Sequence, residues 1–220
     1  MLNTSTLKSF ALATMIGLGI FAQTHKVQAT DLETITVAGG CFWCVESDFE
    51  RVKGVKEAVS GYIGGTLANP TYKQVVAGGT GHYEAVQITF DPSVVSVGTL
   101  YSMFFRSVDP TDAGGQFCDR GESYRTAIFA QTPQQASAAQ KAKADAQADL
   151  SAPVVTPILE ASTFYPAEAY HQDYYKGTSL VITRFGPKRQ ASAYKAYRQA
   201  CGRDARVKEL WGDAAPFVGS

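Results

Sequence analysis

Gly39-Gly40-Cys41-Phe42-Trp43-Cys44-Val45-Glu46 places two cysteines three residues apart, directly after a glycine pair. A β-branched run, Thr34 to Ala38, precedes the glycines, and Cys41 to Phe49 has helical character. The order is therefore strand, tight turn, helix start. Unpaired N–H groups and the dipole at a helix start favour a thiolate over a thiol. The glycines let the backbone turn sharply and leave the sulfur accessible. A thiolate there would be a nucleophile. The same residues admit other readings. Cys41 could be an ordinary buried thiol. Cys41 and Cys44 could cycle as a thioredoxin-like dithiol. Zinc could be held by Cys41, Cys44, Cys118 and Cys201, although Cys118 and Cys201 form no second close pair. Haem attachment is excluded, because Val45 stands where the motif requires His.

A second chemical group comes from strand parity. Tyr83 to Phe90 alternates as a strand does, and one face carries Glu84, Val86, Ile88 and Phe90. A carboxyl turned toward an apolar core loses hydration, which favours its neutral form. A neutral carboxylic acid near neutral pH can donate a proton. The competing reading turns Glu84 outward at the strand end.

The elements that must position these groups interleave irregularly. Strands are predicted at Thr34–Ala38, Val55–Tyr62, Tyr83–Phe90, Tyr124–Ala130 and Val154–Leu159, the last broken by Pro157. Helices are predicted at Cys41–Phe49, Thr99–Arg106 and Ala191–Cys201, with another at Ala205–Trp211 after Gly202. Lys73–Val76 is a short helical turn, and Ala167–Tyr175 a short aromatic helix. Thr132-Pro133 starts an Ala-rich helix to about Leu150, with Thr as N-cap, Pro in the first turn and Gln135 at the capping-box position. Residues 107–123 form a long loop rich in Asp, Pro, Gly and Ser, a length usually kept for function. The natural outcome is an α/β (α+β) two-layer sandwich.

The chain has 220 residues, 45% hydrophobic and 18% charged, enough to bury a core and against disorder. Its 20 basic and 20 acidic residues cancel, and no Lys or Arg run supplies a nucleic-acid footprint. Residues 1–29 read as a signal peptide. Lys8 precedes an apolar stretch from Phe10 to Ala22, too short for a bilayer, and Val27-Gln28-Ala29 resembles a cleavage site. Cleavage would leave residues 30–220 as a single exported domain, periplasmic or secreted, with no stable membrane insertion. In that oxidising compartment a disulfide can persist.

The chain resembles the peptide methionine sulfoxide reductase A (MsrA) family. The likeness rests on Gly40-Cys41-Phe42-Trp43, Gly61-Tyr62-x-Gly64-Gly65, Asn69-Pro70-Thr71-Tyr72, Gly81-His82-x-Glu84-Ala85-Val86 and Tyr124-Arg125. It continues through Phe164-Tyr165-Pro166-Ala167-Glu168, Tyr170-His171-Gln172-x-Tyr174 and Cys201-Gly202-Arg203-Asp204. The resemblance spans about residues 34–212. It implies a ferredoxin-like centre with a mixed sheet and extensive coil, and reduction of the S-epimer of methionine sulfoxide, free or in proteins. By the same resemblance Cys41 attacks the sulfoxide sulfur and Glu84 protonates its oxygen. Tyr72 and Tyr124 offer hydroxyls to that oxygen. Phe42 and Trp43 line the methyl pocket, and Asp119 orients the substrate or assists recycling. Cys41 becomes a sulfenic acid, which a second thiol must resolve before a thioredoxin-type donor restores the dithiol. Cys201, which Gly202 would keep pliable, matches the family's recycling position. Cys44 and Cys118 are further candidates, each read for itself as an ordinary semi-buried thiol. No metal and no bound organic cofactor is expected, and the enzyme is read as a monomer. His171 and Tyr62, Tyr165, Tyr174 and Tyr175 are read as structural.

Overall fold

The computed structural model describes residues 31–219; the predicted signal peptide lies outside them. In chain order the larger elements are β1 (Glu33–Gly39), α1 (Phe42–Phe49), β2 (Val55–Ile63), α2 (Tyr72–Val76), β3 (Tyr83–Phe90) and α3 (Val97–Phe105). A small hairpin follows, β4 (Gly115–Gln116) and β5 (Asp119–Arg120), inside the predicted 107–123 loop. Next come β6 (Thr126–Ala130), α4 (Pro133–Asp149), β7 (Ile158–Glu160) and β8 (Tyr165–Pro166). A second hairpin, β9 (Leu180–Thr183) and β10 (Gly186–Arg189), leads into α5 (Gln190–Ala200) and α6 (Arg203–Trp211).

Six strands form one sheet in the order β7-β6-β1-β3-β2-β8. Only the β6–β7 pair is parallel, so the sheet is mixed. Its centre, β1-α1-β2-β3-α3-β6, pairs in the spatial order β6-β1-β3-β2, which is the ferredoxin-like arrangement expected. One face packs Ile35, Val37, Val86, Ile88 and Phe90 against α1, α3, α4 and α6. The other buries Ala38, Ile63, Tyr83, Ala85, Ala127 and Phe129, covered by Leu159, Ala161 and Phe164. Helices therefore cover one face, and coil covers much of the other.

Strand β3 runs over the predicted residues, because its alternation is clean. Residues 167–175 depart from expectation. They form two short 3-10 turns, Ala169–His171 and Tyr174–Lys176, rather than one helix. Asp173 between them has φ 56°, a left-handed conformation that interrupts any helix. The segment is pinned there: Glu46 accepts from the Asp173 backbone N–H, and Gln172 bonds both backbone groups of Ser60. The strand expected from Val154 is reduced to Ile158–Glu160, because Pro157 denies the ladder a donor.

Helix α1 is buried almost all round, including its polar residues Glu46, Ser47 and Asp48. Burial of such groups is tolerated where they are bonded. Ser60 donates to Glu46, and burial raises the Glu46 carboxyl to about 7. Asp48 pairs with Arg198 at 2.7 Å. Arg203 donates to the Gly39 carbonyl at 3.1 Å and to the Ser107 carbonyl at 2.9 Å. The C-terminal helices are thereby bolted to the turn before Cys41. Among the described residues no helix is long and apolar enough to cross a membrane.

Candidate active site

The β1–α1 turn admits only glycine at position 40. Gly40 has φ +80°, and a Cβ there would lie 2.6 Å from Gln116 Cβ. Gln116 cannot yield, since its amide is bonded to Asp109 and Gly115 backbone groups. This turn delivers Cys41 as the N-cap of α1. Parity places Glu84 as expected, on the face carrying Val86, Ile88 and Phe90. Its carboxylate accepts from the Phe42 backbone N–H at 3.1 Å, so the acid reaches the helix start that holds the nucleophile.

Cys41, Phe42, Trp43, Tyr72, Glu84, Asp119, Tyr124 and Tyr197 line one cavity of about 160 Å³. That is roughly five waters' share of liquid volume, room for one small side chain. Two wider depressions, about 580 and 610 Å³, lie elsewhere among surface side chains and contain no cysteine. Seven of the eight residues assigned to catalysis or substrate binding line the cavity; Cys201 does not. Tyr197 joins them without having been anticipated. Its signal was the spacing Tyr194, Tyr197, Cys201 on α5, which puts three chemical side chains along one helix face.

Electrostatics divide the roles. Burial raises Glu84 to about 8, outweighing its bond from Phe42 N–H. Glu84 is therefore protonated at neutral pH. Burial also raises the Tyr72 and Tyr124 hydroxyls, and both stay neutral donors. Cys41 departs from expectation: its thiol is pushed well up, by its hydrogen bond with Cys44, by burial and by the carboxyls of Glu84 and Asp119. The resting site holds a thiol and not the preformed thiolate that the helix start alone predicts. The bond with Cys44, the enclosure and the two carboxyls outweigh the pull of the helix start.

Support for the cavity comes from 3-10 turns. Trp43 stacks on Tyr174 with centroids 3.7 Å apart and planes 5° from parallel. Trp43 Nε1 donates to His171 Nδ1 at 3.2 Å. Burial lowers His171 to about 4, so it stays neutral and acts as a prop. Glu168 accepts from the Tyr72 backbone N–H and the Tyr62 hydroxyl, both at 2.9 Å. This explains why the 164–168 block matters to Tyr72.

Cys118 is not the ordinary thiol expected. It is disulfide-bonded to Cys201, 83 residues on. The partner of Cys201 is thus Cys118, in the β4–β5 hairpin, and Cys201 is anchored as the C-cap of α5 rather than lying in a pliable tail. Gly202 forms a left-handed corner with φ 70° between α5 and α6. The same two elements meet a second time, where the Tyr197 hydroxyl donates to Asp119. Cys41 and Cys44 remain free and buried. With two of the four sulfurs joined to each other, the four-thiolate zinc set does not assemble.

Comparison with known proteins agrees with this geometry. Residues 33–213 match the family model described as peptide methionine sulfoxide reductase. The chain is 49% identical to peptide methionine sulfoxide reductase MsrA 2 of Caulobacter vibrioides, over 87% of this chain and 91% of that protein. It is 47% identical to MsrA of Listeria monocytogenes, over 82% of this chain and 96% of that protein. Among solved structures, methionine sulfoxide reductase A of Corynebacterium diphtheriae superposes with a TM-score of 0.64 at 33% identity, covering 68% of this chain and 76% of that one. Reduced Mxr1 of Saccharomyces cerevisiae gives 0.64 at 30% identity, covering 70% of this chain and 90% of that one.

Proposed function

The chain belongs to the peptide methionine sulfoxide reductase family, and from that premise we propose which groups perform its chemistry. The enzyme reduces methionine sulfoxide to methionine by cysteine chemistry, with an external reductant and no bound cofactor. The observation that carries the assignment of roles is that Cys41 and a neutral Glu84 face one small cavity.

A sulfoxide oxygen is a poor leaving group, and the sulfur beneath it is electrophilic only once that oxygen is protonated or strongly hydrogen-bonded. Glu84 supplies the proton, and the Tyr72 and Tyr124 hydroxyls point donors at the same oxygen. Phe42 and Trp43 form the apolar side of the slot for the methyl group, and Asp119 orients the substrate or assists recycling. Cys41 attacks the sulfur as a thiolate. The substrate sulfur gains two electrons and leaves as a thioether. Cys41 loses two and carries the oxygen as a sulfenic acid.

Cys201 then condenses with that sulfenic acid, releasing water and forming a Cys41–Cys201 disulfide. Its reach is supported by Tyr197, which lines the cavity one helical turn before it; Cys201 N–H donates to the Tyr197 carbonyl at 2.9 Å. Cys118 next attacks Cys201 and expels the Cys41 thiolate, leaving Cys118–Cys201, the bridge described above. A thioredoxin-type dithiol reduces that bridge by exchange and opens the next cycle. Cys118 is exposed, whereas Cys41 is only 7% exposed, so the bridge is the more accessible target. Cys44 belongs to the cluster around Cys41 and stays a bystander in this scheme.

We further propose that residues 1–29 are removed on export, that residues 30–220 form one catalytic domain, and that the protein works as a monomer in the periplasm or medium. The apolar 10–22 stretch with its cleavage-like Val27-Gln28-Ala29 supports the first step.

Incubation with each epimer of N-acetyl-methionine sulfoxide and dithiothreitol tests the assignment. N-acetyl-methionine should form from the S-epimer alone; turnover of the R-epimer would overturn the stereochemical claim. The relay has its own test. With thioredoxin as donor, Cys201→Ser should release about one methionine per enzyme and then stall. Cys118→Ser should also stall after one equivalent, holding a Cys41–Cys201 disulfide identifiable by peptide mapping. Unimpaired cycling of both variants would assign resolution to Cys44.

A further inference from the structure

The hairpin of β9 and β10 is a two-stranded ribbon outside the main sheet, and one of its faces is apolar and bare. Leu180 is 71% exposed and Ile182 81% exposed. Their cross-strand partners on that face are Arg189 and Pro187. Phe185 at the turn is 40% exposed. Large aliphatic side chains displayed side by side on a ribbon that cannot bury them mark a contact surface rather than a core.

Its position says what the contact is. Val181, on the inner face, packs against the cluster of Cys41, Cys44, Tyr174 and Tyr194. Arg184 sits 5.9 Å from the Tyr197 ring, and its charge acts on Asp119; both residues line the cavity. The ribbon therefore stands beside the site. The cavity admits one side chain, so a polypeptide whose oxidised methionine enters it lays its flanking residues on the surface around the mouth, where the ribbon stands.

We propose that β9–β10 is a docking rail for an extended, unfolded segment of the substrate polypeptide, favouring apolar and acidic residues beside the methionine sulfoxide. This rests on the reductase assignment above. Leu180, Ile182 and Pro187 supply the apolar contact, and Arg184 and Arg189 the complementary charge. Among the described residues the ribbon pairs with no third strand, which leaves it open to an added one. Free methionine sulfoxide is too short to reach the rail.

The test compares oxidised β-casein, an unfolded protein, with N-acetyl-methionine sulfoxide. Leu180→Ser combined with Ile182→Ser should raise KM for oxidised casein about tenfold. kcat/KM for N-acetyl-methionine sulfoxide should stay within about twofold, which also reports an intact fold. Equal effects on the two substrates, or none on casein, would overturn the rail. A second variant guards against local unfolding: Arg189→Glu should exchange a preference for acidic-flanked peptides for one for basic-flanked peptides, and an unchanged preference would count against the charge complementarity. Binding of oxidised casein to Cys41→Ser protein, with and without the serine pair, reads the rail independently of turnover. Loss of binding in a protein that never releases methionine would sink the reductase assignment and keep the rail. If the serine pair instead abolished self-association measured by sedimentation, with casein binding intact, the face would be an interface between copies and the rail would fall.

Discussion

Cys41→Ser should abolish methionine release, by about 10⁴-fold or more, in single-turnover as well as cycling assays. The substitution is nearly isosteric and fits its place: position 41 is the N-cap of α1, where serine is among the favoured residues. Loss of activity will therefore not come from loss of the helix. Serine retains a hydroxyl in the cavity but no accessible anion, so the sulfoxide sulfur meets no nucleophile. The variant should bind substrate and consume none. Thiol titration of the denatured, reduced protein should show one thiol fewer, and the burst of one methionine should be absent. Residual release above 1% of the wild-type burst would remove Cys41 from the role and bring Cys44, the other free thiol of that cluster, forward.

Glu84→Gln should slow the same step by about 10²–10⁴-fold, the usual worth of a positioned acid. Glutamine keeps the shape and can accept from the Phe42 N–H, but it has no proton to give. The pH dependence carries a sharper signature. Cys41 and Glu84 must hold one proton between them: with two there is no nucleophile, and with none there is no acid. Glu84 titrates near 8 and Cys41 above its ordinary range. The single-proton form is then populated between those two ionisations, as a property of the pair. Single-turnover rates for the wild type should rise as pH climbs toward 8, level off, and fall once the last proton leaves. In Glu84→Gln only the thiol titrates. The rise should persist, moved toward higher pH because the bond with Cys44 and burial still hold the thiol up, and the alkaline fall should vanish. A variant that keeps both limbs would show that Glu84 is not the acid.

Much of this site could be read from the chain because it is built from short-range signals. The Gly-Gly-Cys turn, the alternation of Tyr83 to Phe90 and the Thr132-Pro133 cap each concern a few neighbouring residues, and each sets local geometry directly. Parity put Glu84 on the face of Val86, Ile88 and Phe90 but left open an outward turn at the strand end, which the Phe42 N–H closes off. What escaped were features decided by distant partners. Cys118 looks isolated because its partner is 83 residues away. Tyr197 lies on a helix whose polar composition disguises the one face it turns to the cavity. The 167–175 segment has helical composition, but Glu46 and Ser60 hold it in two separate turns. The β9–β10 ribbon contains Gly186 and Pro187, which argue against a strand, and no sheet lies beside it to reward pairing. The thiolate expectation failed for a related reason. A helix start is a local signal, whereas the carboxyls and burial that oppose it come from β3, β5 and the enclosing fold.

The burial of α1 on nearly every side has one last consequence. A helix clamped by Asp48, Glu46 and the C-terminal arginines cannot swing its first residue outward to meet a target. The oxidised residue must travel inward, and only a side chain that its own protein leaves standing proud of the surface can make that journey. Immobility in the catalyst thus becomes a gauge of conformation in the client. Damage on loose or exposed chains is mended, while methionines sealed within intact cores pass unread until the surrounding structure gives way.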